Sequence, residues 1–277
     1  MIDLHLHSNI SDGTDTVEEL IAKAKKIGVN VLSLTDHDTI DGVIKAKNLC
    51  EEKNIIFING IELTATYKSY EIHLLAYNFS VDNNIIKDLA NKIKEIRNTR
   101  NKKMVKKFEE IGINISLDKL NEENKNSIIT RTHFAIELLK QGYAETKEDA
   151  FNKYLLPERG TYVAKNSVSA EECILNVHKA GGVVILAHPT KYDFFEDIGD
   201  VIGELSAISL DGVEAYYNDY TEEESSIIIN EAQKNNLVLT GGSDYHGQNK
   251  TNINIGIGKG NLKIASNMVY DFLNIIS

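Results

Sequence analysis

The sequence predicts an α/β protein in which mainly parallel strands form a closed or nearly closed barrel. Short apolar strands alternate with amphipathic helices along most of the chain, which is typical of parallel α/β folds. About seven strand-like segments are present without a Gly-rich nucleotide-binding fingerprint, so a barrel fits better than a doubly wound sheet. Histidines and acidic residues recur near the strand ends, where β/α barrels build their active sites.

The first part of the chain contains elements with clear boundaries. The capping box Thr16-Val17-Glu18-Glu19 begins a helix that ends at Gly28, a residue that suits a left-handed C-cap. In order, we predict a strand at 2–7, this helix, a strand at 30–38, a helix at 40–53, strands beginning at 55 and 70, and a helix at about 82–111. The last two strands are separated only by a short turn.

The pattern changes between residues 98 and 165, where short Lys- and Glu-rich helices occur without recognisable strands. One helix is expected from Arg131 to Gln141, and another begins at the capping box Thr146-Lys147-Glu148-Asp149. We therefore predict a helical insertion, or cap, at 98–165, and a barrel domain formed by residues 1–97 and 166–277.

The alternation resumes after the insertion. Ser169-Ala170-Glu171-Glu172 is expected to begin one helix, and Thr221 to Glu224 another. Strands are predicted at GGVVILAHP, DGVEAYY and LVLTGGSDYHG, and a final helix at about 263–276.

The composition is that of a globular protein and argues against several classes. Of 277 residues, 42% are hydrophobic and 26% are charged, so the chain can bury a sizeable core. A net charge of −11 argues against a broad basic surface for duplex nucleic acid, although metal ions could still attract a small anion. Two cysteines without CxxC, no signal peptide and no apolar run of about 18 residues predict a cytoplasmic protein without membrane contact.

The opening segment MIDLHLHSNISDG places His5 and His7 one residue apart in an apolar stretch. Because side chains alternate along a strand, both imidazoles face the same side, and a metal ion between them would relieve their repulsion. Further His and acidic residues fall at or near strand ends: Asp36, His37, Asp38, Glu62, His73, His188, Asp244 and His246.

Each of these residues, taken alone, has an ordinary structural explanation. A lone His73 is more often a core residue, Asp12 suits a turn, and Asp36 and Asp38 suit a helix start. His178, within a helix, is interpreted as structural. Six of the eight histidines nevertheless fall near strand ends on one predicted mouth of the barrel. Nitrogen and carboxylate ligands that meet there are what a hydrolytic metal site requires.

Five segments together resemble the PHP (polymerase and histidinol phosphatase) family of metal-dependent phosphoesterases. They are DLHLHSNISDG, LTDHDTIDG, GIELTA followed by EIHLLAY, ILAHP, and GGSDYHG, and they occur in the family's order over nearly the whole chain. The resemblance implies a distorted seven-stranded β/α barrel, with up to three metal ions at the C-terminal mouth.

Carried over motif by motif, the resemblance implies nine metal ligands. The first ion would be bound by His5, His7, Glu62 and Asp244, the second by Asp12, His37 and His246, and the third by Glu62, His73 and His188. All nine positions hold the expected residue types, so an active enzyme is expected. Mixed His and carboxylate ligands suit Mn, Fe and Zn alike.

The insertion resembles one branch of the family. ITRTHFA (Ile129–Ala135) and YLLPERGTYVAK (Tyr154–Lys165) are similar to segments of stand-alone phosphatases of nucleoside 3′,5′-bisphosphates and 5′-nucleotides, some of which trim short RNA from its 5′ end. The resemblance implies that Arg131 binds phosphate, because its planar fork suits bidentate contact. His133 is either a phosphate contact or a buried helix residue, and Lys191 either reaches a second phosphate or is solvated.

We therefore expect hydrolysis of nucleotide phosphate monoesters, with short single-stranded RNA as a further substrate. Two or three divalent transition-metal ions would bridge a water and lower its pKa, and the resulting hydroxide would attack phosphorus in line. Glu62 would fix the metal separation, and Asp12 and Asp244 would reduce the net charge. Asp38 and His133 are the candidates to protonate the leaving oxygen.

Three alternatives are weighed against this hypothesis. Histidinol-phosphate phosphatase activity would use the same ligands, but the insertion argues against it. An amidohydrolase-like metal hydrolase also begins with HxH on a barrel strand, but Asp12, the Asp-x-His ending and ITRTHFA argue against it. A non-catalytic metal- or nucleic-acid-binding module would lack ligands or carry a basic face, and the sequence shows neither.

Overall fold

The strands form one strongly curved sheet whose first and last strands meet. The computed structural model describes residues 1–124, 127–164 and 167–277. In these ranges the strands are β1 (Ile2–Asp3), β2 (Val31–Leu34), β3 (Ile56–Tyr67), β4 (Tyr70–Tyr77), β5 (Val168–Ser169), β6 (Val183–Leu186), β7 (Gly212–Tyr217) and β8 (Val238–Gly242). The hydrogen-bonded order is β1-β2-β3-β4-β6-β7-β8, and β5 pairs with the C-terminal part of β3. The described chain is therefore the distorted α/β barrel, with seven strands on its main path, that the sequence predicts.

Hydrogen bonds between the two ends of this path close the barrel. Asp244 N donates to His5 O at 2.8 Å, and His7 N donates to Tyr245 O at 3.0 Å. Gly242 lies so close to the first segment that a Cβ at this position would be 2.4 Å from the His5 Cβ, so only glycine fits. The closure brings the first and last histidine motifs of the sequence together.

One strand of the main path runs against the others. β4 is antiparallel to both β3 and β6, whereas the remaining neighbours on the path are parallel. His73 lies in the N-terminal half of β4 and pairs with Thr64 in the C-terminal half of β3. Because the strand is reversed, His73 reaches the C-terminal mouth of the barrel from the first half of its own strand.

Helices pack around the sheet and over its mouth. Among the described residues they are α1 (Val17–Ile27), α2 (Val43–Glu52), α3 (Asn84–Glu110), α4 (Leu117–Glu123), α5 (Arg131–Lys140), α6 (Lys147–Ala150), α7 (Ala170–Lys179), α8 (Ile198–Ala207), α9 (Glu222–Lys234) and α10 (Tyr270–Ile275). A π-helix (Phe151–Leu155) continues α6. The predicted capping boxes at Thr16 and Thr221 are present, and Gly28 ends α1 with φ 91°. None of the helices in the described ranges is long and apolar enough to cross a membrane.

The end of the barrel away from His73 is filled by apolar side chains. Leu4, Leu75, Tyr77 and Ile185 form one buried cluster with Phe272 of α10. The Tyr77 and Phe272 rings lie 5.2 Å apart, and the Tyr77 hydroxyl donates to Leu4 O at 2.8 Å. This end is therefore a packed core, and the polar chemistry is confined to the opposite mouth.

The helical segment after the hairpin has a hydrophobic core of its own. Met104 and Phe108 of α3 pack with Phe134 and Leu138 of α5, and the Phe108 and Phe134 rings are stacked at 6.1 Å. α3 runs without a break across residue 98, so the segment is joined to the barrel by a continuous helix. The other end of the predicted insertion, at residue 165, lies outside the described residues.

Most sequence-predicted elements are confirmed within a few residues, and the differences have local causes. The final helix begins at Tyr270, so the predicted start at about 263 is wrong. Ile2 N donates to Ile264 O at 3.2 Å, and this contact holds the segment before the helix against the edge of β1. Helix α8 and the short β5 are further elements that the sequence pattern did not reveal.

The buried carboxylate of Asp3 joins β1 to the segment that follows β8. Asp3 is fully buried, and one oxygen accepts from Ser243 N at 2.9 Å. Its other oxygen accepts from Ser243 Oγ at 2.6 Å and from Gly256 N at 2.7 Å. His5 N also donates to Asp3, at 3.3 Å. Burial nevertheless raises the pKa of Asp3 from 3.8 to about 6, because these four hydrogen bonds offset the lost hydration only in part.

We expect the unfolding free energy of the wild type to fall relative to that of Asp3→Asn as the pH rises from 4 to 7. Between about pH 4 and 6 folded Asp3 binds a proton that the unfolded chain has lost, so raising the pH removes about 3 kcal/mol of stability. Asparagine cannot titrate. Urea unfolding of both metal-free proteins at pH 4.5, 5.5 and 7 measures the difference, in which other titrations cancel. A difference independent of pH would contradict this account.

Candidate metal centre

One buried carboxylate, that of Glu62 on β3, lies at the middle of the barrel mouth. Among the described residues, five imidazoles place a ring nitrogen close to it. These nitrogens are His73 Nδ1 and His188 Nε2, each 2.9 Å from Oε1, and His37 Nδ1 (3.0 Å), His7 Nε2 (3.1 Å) and His5 Nε2 (3.4 Å), measured from Oε2. A single carboxylate cannot hydrogen-bond well with five rings, so this arrangement calls for cations between them.

Two further carboxylates complete the cluster. Asp12 Oδ1 lies 3.2 Å from His246 Nε2 and 3.9 Å from ring nitrogens of both His7 and His37. Asp244 Oδ1 lies 3.3 to 3.6 Å from nitrogens of His246, His7 and His5. The structure therefore brings together all nine residues that the sequence singled out as ligand candidates.

The loop after β1 is held in place by Asp36, which follows β2. The Asp36 carboxylate accepts from Ser8 N at 2.8 Å, from Ser8 Oγ at 2.7 Å and from Ser11 Oγ at 2.6 Å. A Cβ at Gly13 would lie 2.4 Å from His7 O, so this position needs glycine. The segment Ser-Asn-Ile-Ser-Asp-Gly is therefore a compact turn that holds Asp12 beside His7.

Left-handed backbone conformations occur at two of the candidate ligands. His188 has φ 30° and Asp244 has φ 52°, values that are uncommon for residues other than glycine. Such conformations cost about 1–3 kcal/mol each and persist where the surrounding structure enforces them. Here they turn both side chains toward Glu62 and its histidines directly after β6 and β8.

Several buried polar atoms of the cluster make no hydrogen bond and are available to a cation. Asp12 Oδ1, Glu62 Oε2, His37 Nδ1 and His188 Nδ1 are buried and have no hydrogen-bond partner among the described residues. Glu62 Oε2 and His37 Nδ1 lie only 3.0 Å apart, but their angles are not those of a hydrogen bond. Four overlapping sets of these side chains could each hold a metal ion. Imidazole and carboxylate donors suit divalent transition metals.

The charges in the cluster are set by its own members. Burial raises the pKa of Asp12, but His246 and His37 outweigh it and hold that pKa well below the usual range. Burial lowers the pKa of His37 to about 3, so this ring is neutral and can donate a lone pair. Burial also lowers the pKa of His7, but a hydrogen bond to Asp244 outweighs it and raises that pKa to about 9. A cation would displace the His7 proton, so binding should release protons.

A cavity of about 500 Å³ opens directly onto the cluster. The barrel contributes lysines and a tyrosine to its wall, and the helical segment contributes an arginine and a phenylalanine. These lining residues are Lys191, Tyr217, Lys250, Lys259, Arg131 and Phe151. The volume and the mixed cationic and aromatic wall suit a small anion that carries a ring system.

Two of the three predicted substrate-binding residues, Arg131 and Lys191, line the cavity. Arg131 lines the cavity, where its guanidinium lies 3.3 Å from Glu71 Oε1 and 5.6 Å from the centre of the Tyr162 ring. Lys191 also lines the cavity and pairs with Asp219.

His133 lies beneath the cavity wall rather than in it. Its Nδ1 accepts from Thr130 N at 3.0 Å, which completes the capping box of α5. The Thr130 hydroxyl donates to Asp12 Oδ2 at 3.1 Å. Burial lowers the pKa of His133. Its connection to the cluster therefore runs through Thr130 and Asp12.

Asp38 and His178 are engaged elsewhere. Asp38 accepts from Thr64 N at 2.7 Å and forms a buried ion pair with Arg97 of α3. His178 pairs with Asp211 at 2.7 Å on the outer side of the barrel, which agrees with a structural role. The Asp38–Arg97 ion pair links the β2–α2 turn to α3, the helix that leads into the helical segment.

Sequence patterns did not identify several residues of the site. Lys250 lies four residues after His246 and pairs with Asp244 Oδ2, which also accepts from the Tyr217 hydroxyl at 2.6 Å. Phe151 begins the π-helix and faces the cavity. A strand-end position was a usable signal for Tyr217. Lys250 and Phe151 lie in a short 3-10 helix and a π-helix, which have no periodic pattern long enough to be recognised in the sequence.

Comparison with known proteins identifies similar sequences. The PHP domain family model matches residues 3–239. A 5′-3′ exoribonuclease from Haemophilus influenzae is 31% identical over 245 residues, which cover 88% of this chain and 89% of the relative. A 3′,5′-nucleoside bisphosphate phosphatase from Chromobacterium violaceum is 28% identical over 92% of this chain and 90% of its own length.

Solved structures show the same architecture. A Bifidobacterium adolescentis protein assigned to the metal-dependent phosphoesterases superposes with a TM-score of 0.86 at 29% identity, covering 99% of this chain and 96% of that one. A Chromobacterium violaceum structure described as an amidohydrolase, with bound sulfate and no metal, gives 0.83 at 29% identity, covering 89% and 88%. Barrel and helical segment are thus shared over nearly the full chain.

We expect Glu62→Gln to reduce both the number and the affinity of bound divalent ions. The change removes the charge shared by five histidines, and binding of at least one ion should weaken more than roughly 100-fold. Elemental analysis after dialysis against Mn²⁺, together with calorimetric titration, measures both quantities. Glu204→Gln, at an exposed acid paired with Lys68, is the control. Wild-type stoichiometry and affinity in Glu62→Gln would rule out a central role for this carboxylate.

Proposed function

The chain belongs to the PHP domain family of metal-dependent phosphoesterases, and we propose that it hydrolyses phosphate monoesters of nucleotides. The proposed substrates are nucleoside 3′,5′-bisphosphates or 5′-mononucleotides. The observation that carries this proposal is the cavity, whose lining contains seven of the nine candidate ligands together with Arg131 and three lysines. The other two candidates, His5 and His7, are fully buried behind it. A phosphate ester needs cations on its non-bridging oxygens, and this cavity offers metal sites and basic side chains together. The relatives named exoribonuclease and bisphosphate phosphatase support the same substrate class.

The proposed centre uses the ligand sets expected from the family resemblance. His5, His7, Glu62 and Asp244 would hold one ion, Asp12, His37 and His246 a second, and Glu62, His73 and His188 a third. The first two sets are supported by groups of side chains whose ligand atoms lie within 4.8 Å of one another. The third is supported by His73 Nδ1 and His188 Nε2, which each lie 2.9 Å from Glu62 Oε1. Two or three ions of Mn, Fe or Zn are proposed, because the donors are imidazoles and carboxylates.

When bound, these divalent ions would act as Lewis acids that polarise phosphoryl oxygens and lower the pKa of water. The chain's own residues set where that happens. Glu62 would fix the separation of the ions, because both of its oxygens face histidines. Asp12 and Asp244 add negative charge, which would limit how tightly an anionic product is held.

Arg131 is the proposed phosphate-binding side chain of the helical segment. Glu71, Tyr162 and the Leu155 carbonyl contact its guanidinium, so the fork is held in one orientation before substrate binds. A fixed planar fork loses little entropy when it makes two hydrogen bonds to a phosphate. The bond to Glu71 is 3.3 Å long, which leaves room for exchange with a phosphate oxygen.

Lys191 is the proposed contact for a second phosphate. Asp219 pairs with both Lys191 and Lys259 at the cavity wall. Two lysines that share one carboxylate carry a net positive charge toward the cavity. A nucleotide with two phosphate groups would therefore find a cationic site at each end.

We further propose that residues 98–165 act as a cap domain over the barrel domain formed by 1–97 and 166–277. The cap supplies Arg131 and Phe151 to the cavity. Phe151 offers a half-buried aromatic face, on which a nucleobase can stack without regard to its identity.

Asp38 and His133 stay the proposed proton donors for the leaving oxygen. His133 is joined to the centre through Thr130 and Asp12, and the backbone N–H of Asp38 donates to Glu62 O at 2.9 Å. Replacing each separately tests whether either one supplies the proton. A drop in turnover with esters of poor leaving groups, but not with aryl esters, would identify the donor.

Short 5′-phosphorylated RNA is a further proposed substrate, since some relatives are named exoribonucleases. The net charge of −11 favours short over long chains. A cytoplasmic location is also proposed, because Cys50 and Cys173 are free and buried.

We expect the Mn²⁺-loaded protein to release phosphate from adenosine 3′,5′-bisphosphate, AMP or a 5′-phosphorylated short RNA, and the order of rates would identify the main substrate. The measurement is phosphate release under kcat/KM conditions. His5→Ala should abolish release by removing a proposed ligand. Histidinol phosphate is included in the panel, because release from it alone would favour the alternative phosphatase activity. No release from any ester, with bound metal demonstrated, would overturn the proposal.

We expect Arg131→Lys to lower kcat/KM for the best nucleotide by roughly 10- to 100-fold, because lysine keeps the charge but loses the bidentate fork. Metal content should stay unchanged. Arg159→Lys, at an exposed arginine of the same helical segment, is the matched control. Equal kinetics in the two variants would remove Arg131 from the phosphate site.

A further inference from the structure

A fully buried acid lies outside the nine candidate ligands. Glu214 on β7 has no exposed surface. A buried carboxylate is costly unless hydrogen bonds replace its lost hydration. Oε1 lies 3.0 Å from His5 Nδ1, and Oε2 accepts from the backbone N–H of His188 at 2.8 Å. Both partners of Glu214 therefore belong to the candidate metal centre.

A bulge in the sheet marks the position of Glu214. It pairs with Thr240 of β8, but the next pair in the register is Tyr216 with Gly241. One extra residue is thus present on β7, and bulges of this kind change the direction of side chains beside functional sites. The Tyr220 hydroxyl donates to Glu214 O at 3.1 Å and supports the distorted backbone.

The contact with His5 determines which nitrogen faces the centre. With Nδ1 bound to Glu214, the opposite nitrogen Nε2 lies 3.1 Å from His7 Nε2 and 3.4 Å from Glu62 Oε2. A carboxylate on Nδ1 holds a proton there, so the Nε2 lone pair is free for a cation and becomes more basic.

The contact with His188 acts on the backbone instead of the ring. His188 has φ 30° and ψ 58°, a conformation that few non-glycine residues adopt. Its N–H donates to Glu214 Oε2, which compensates part of the conformational cost. In this conformation His188 Nε2 lies 2.9 Å from Glu62 Oε1.

We propose that Glu214 is a positioning residue that orients two ligands of the centre at once, the His5 ring through Nδ1 and the His188 side chain through the backbone. The inference rests on the proposed metal centre. Glu214 itself is not among the residues that line the cavity in the described part of the chain, so its effect is on metal binding rather than on substrate contact. Loss of its charge should weaken two ligand sets together.

The test compares Glu214→Gln with the wild type. Glutamine keeps the volume and one acceptor oxygen but loses the charge. We expect Mn²⁺ affinity, measured by calorimetry and by the EPR signal of free Mn²⁺, to fall roughly 10- to 100-fold. The NMR signal of the His5 Nδ1–H proton in the metal-free protein should move upfield, because a neutral acceptor replaces a carboxylate. Glu214→Asp should restore neither property, since the shorter chain cannot reach both partners.

Thr240→Val is the matched control. Thr240 pairs with Glu214 across the sheet, and its hydroxyl has no hydrogen-bond partner among the described residues, so the change disturbs the same register without touching a ligand. Wild-type Mn²⁺ affinity and an unchanged His5 proton in Glu214→Gln would overturn the inference. If the wild type binds no ion, the proposed function fails, whereas the His5 proton still tests the positioning role. Equal losses of Mn²⁺ affinity in Thr240→Val and Glu214→Gln would show that Glu214 acts only through packing, and would also overturn the inference.

Discussion

The interaction on which the rest of the site depends is the crowding of five imidazoles around the carboxylate of Glu62. Three of these rings lie within 3.0 Å of one of its oxygens. Burying so many polar atoms together is unfavourable unless cations neutralise the carboxylates and take up the nitrogen lone pairs. This cluster of buried polar groups lies at the mouth of the barrel. The other end of the barrel is closed by Tyr77 and Phe272 in an ordinary apolar core.

The helical segment forms part of the cavity wall beside the cluster. A metal centre at the mouth of a barrel can act on many esters, and the walls decide which one fits. Here one wall comes from α5 and the π-helix, and it is fastened to the ligands themselves: the Thr130 hydroxyl donates to Asp12 Oδ2. Arg97 of α3 pairs with Asp38 at the opposite side of the segment. The helical segment is therefore tied to the cluster by hydrogen bonds, so a change in one is expected to alter the geometry of the other.

The parts of the fold that local chemistry determines could be predicted from the sequence. Thr16 and Thr221 begin helices through capping boxes, and Gly28 ends one, because each signal lies within a few residues. The ligand candidates could also be predicted, since most follow a strand, and Glu62 and His73 lie on the hairpin strands β3 and β4. What could not be predicted depends on pairing between distant segments. A bulge between β7 and β8 sets the direction of the Glu214 side chain, and Ile264 forms a bridge with Ile2 of β1 instead of joining the last helix. Neither contact has a signal in the nearby residues.

The closure of the barrel through β1 and β8 has a consequence for how the protein matures. His5 and His7 are synthesised long before Asp244 and His246, because they lie far apart along the chain, and all four belong to the same cluster. A chain in which β8 has not yet met β1 lacks Asp244 and His246 at the site, so the groups that contain them are incomplete. Full occupancy of these groups is therefore expected only after closure, from the divalent ions that are present at that stage.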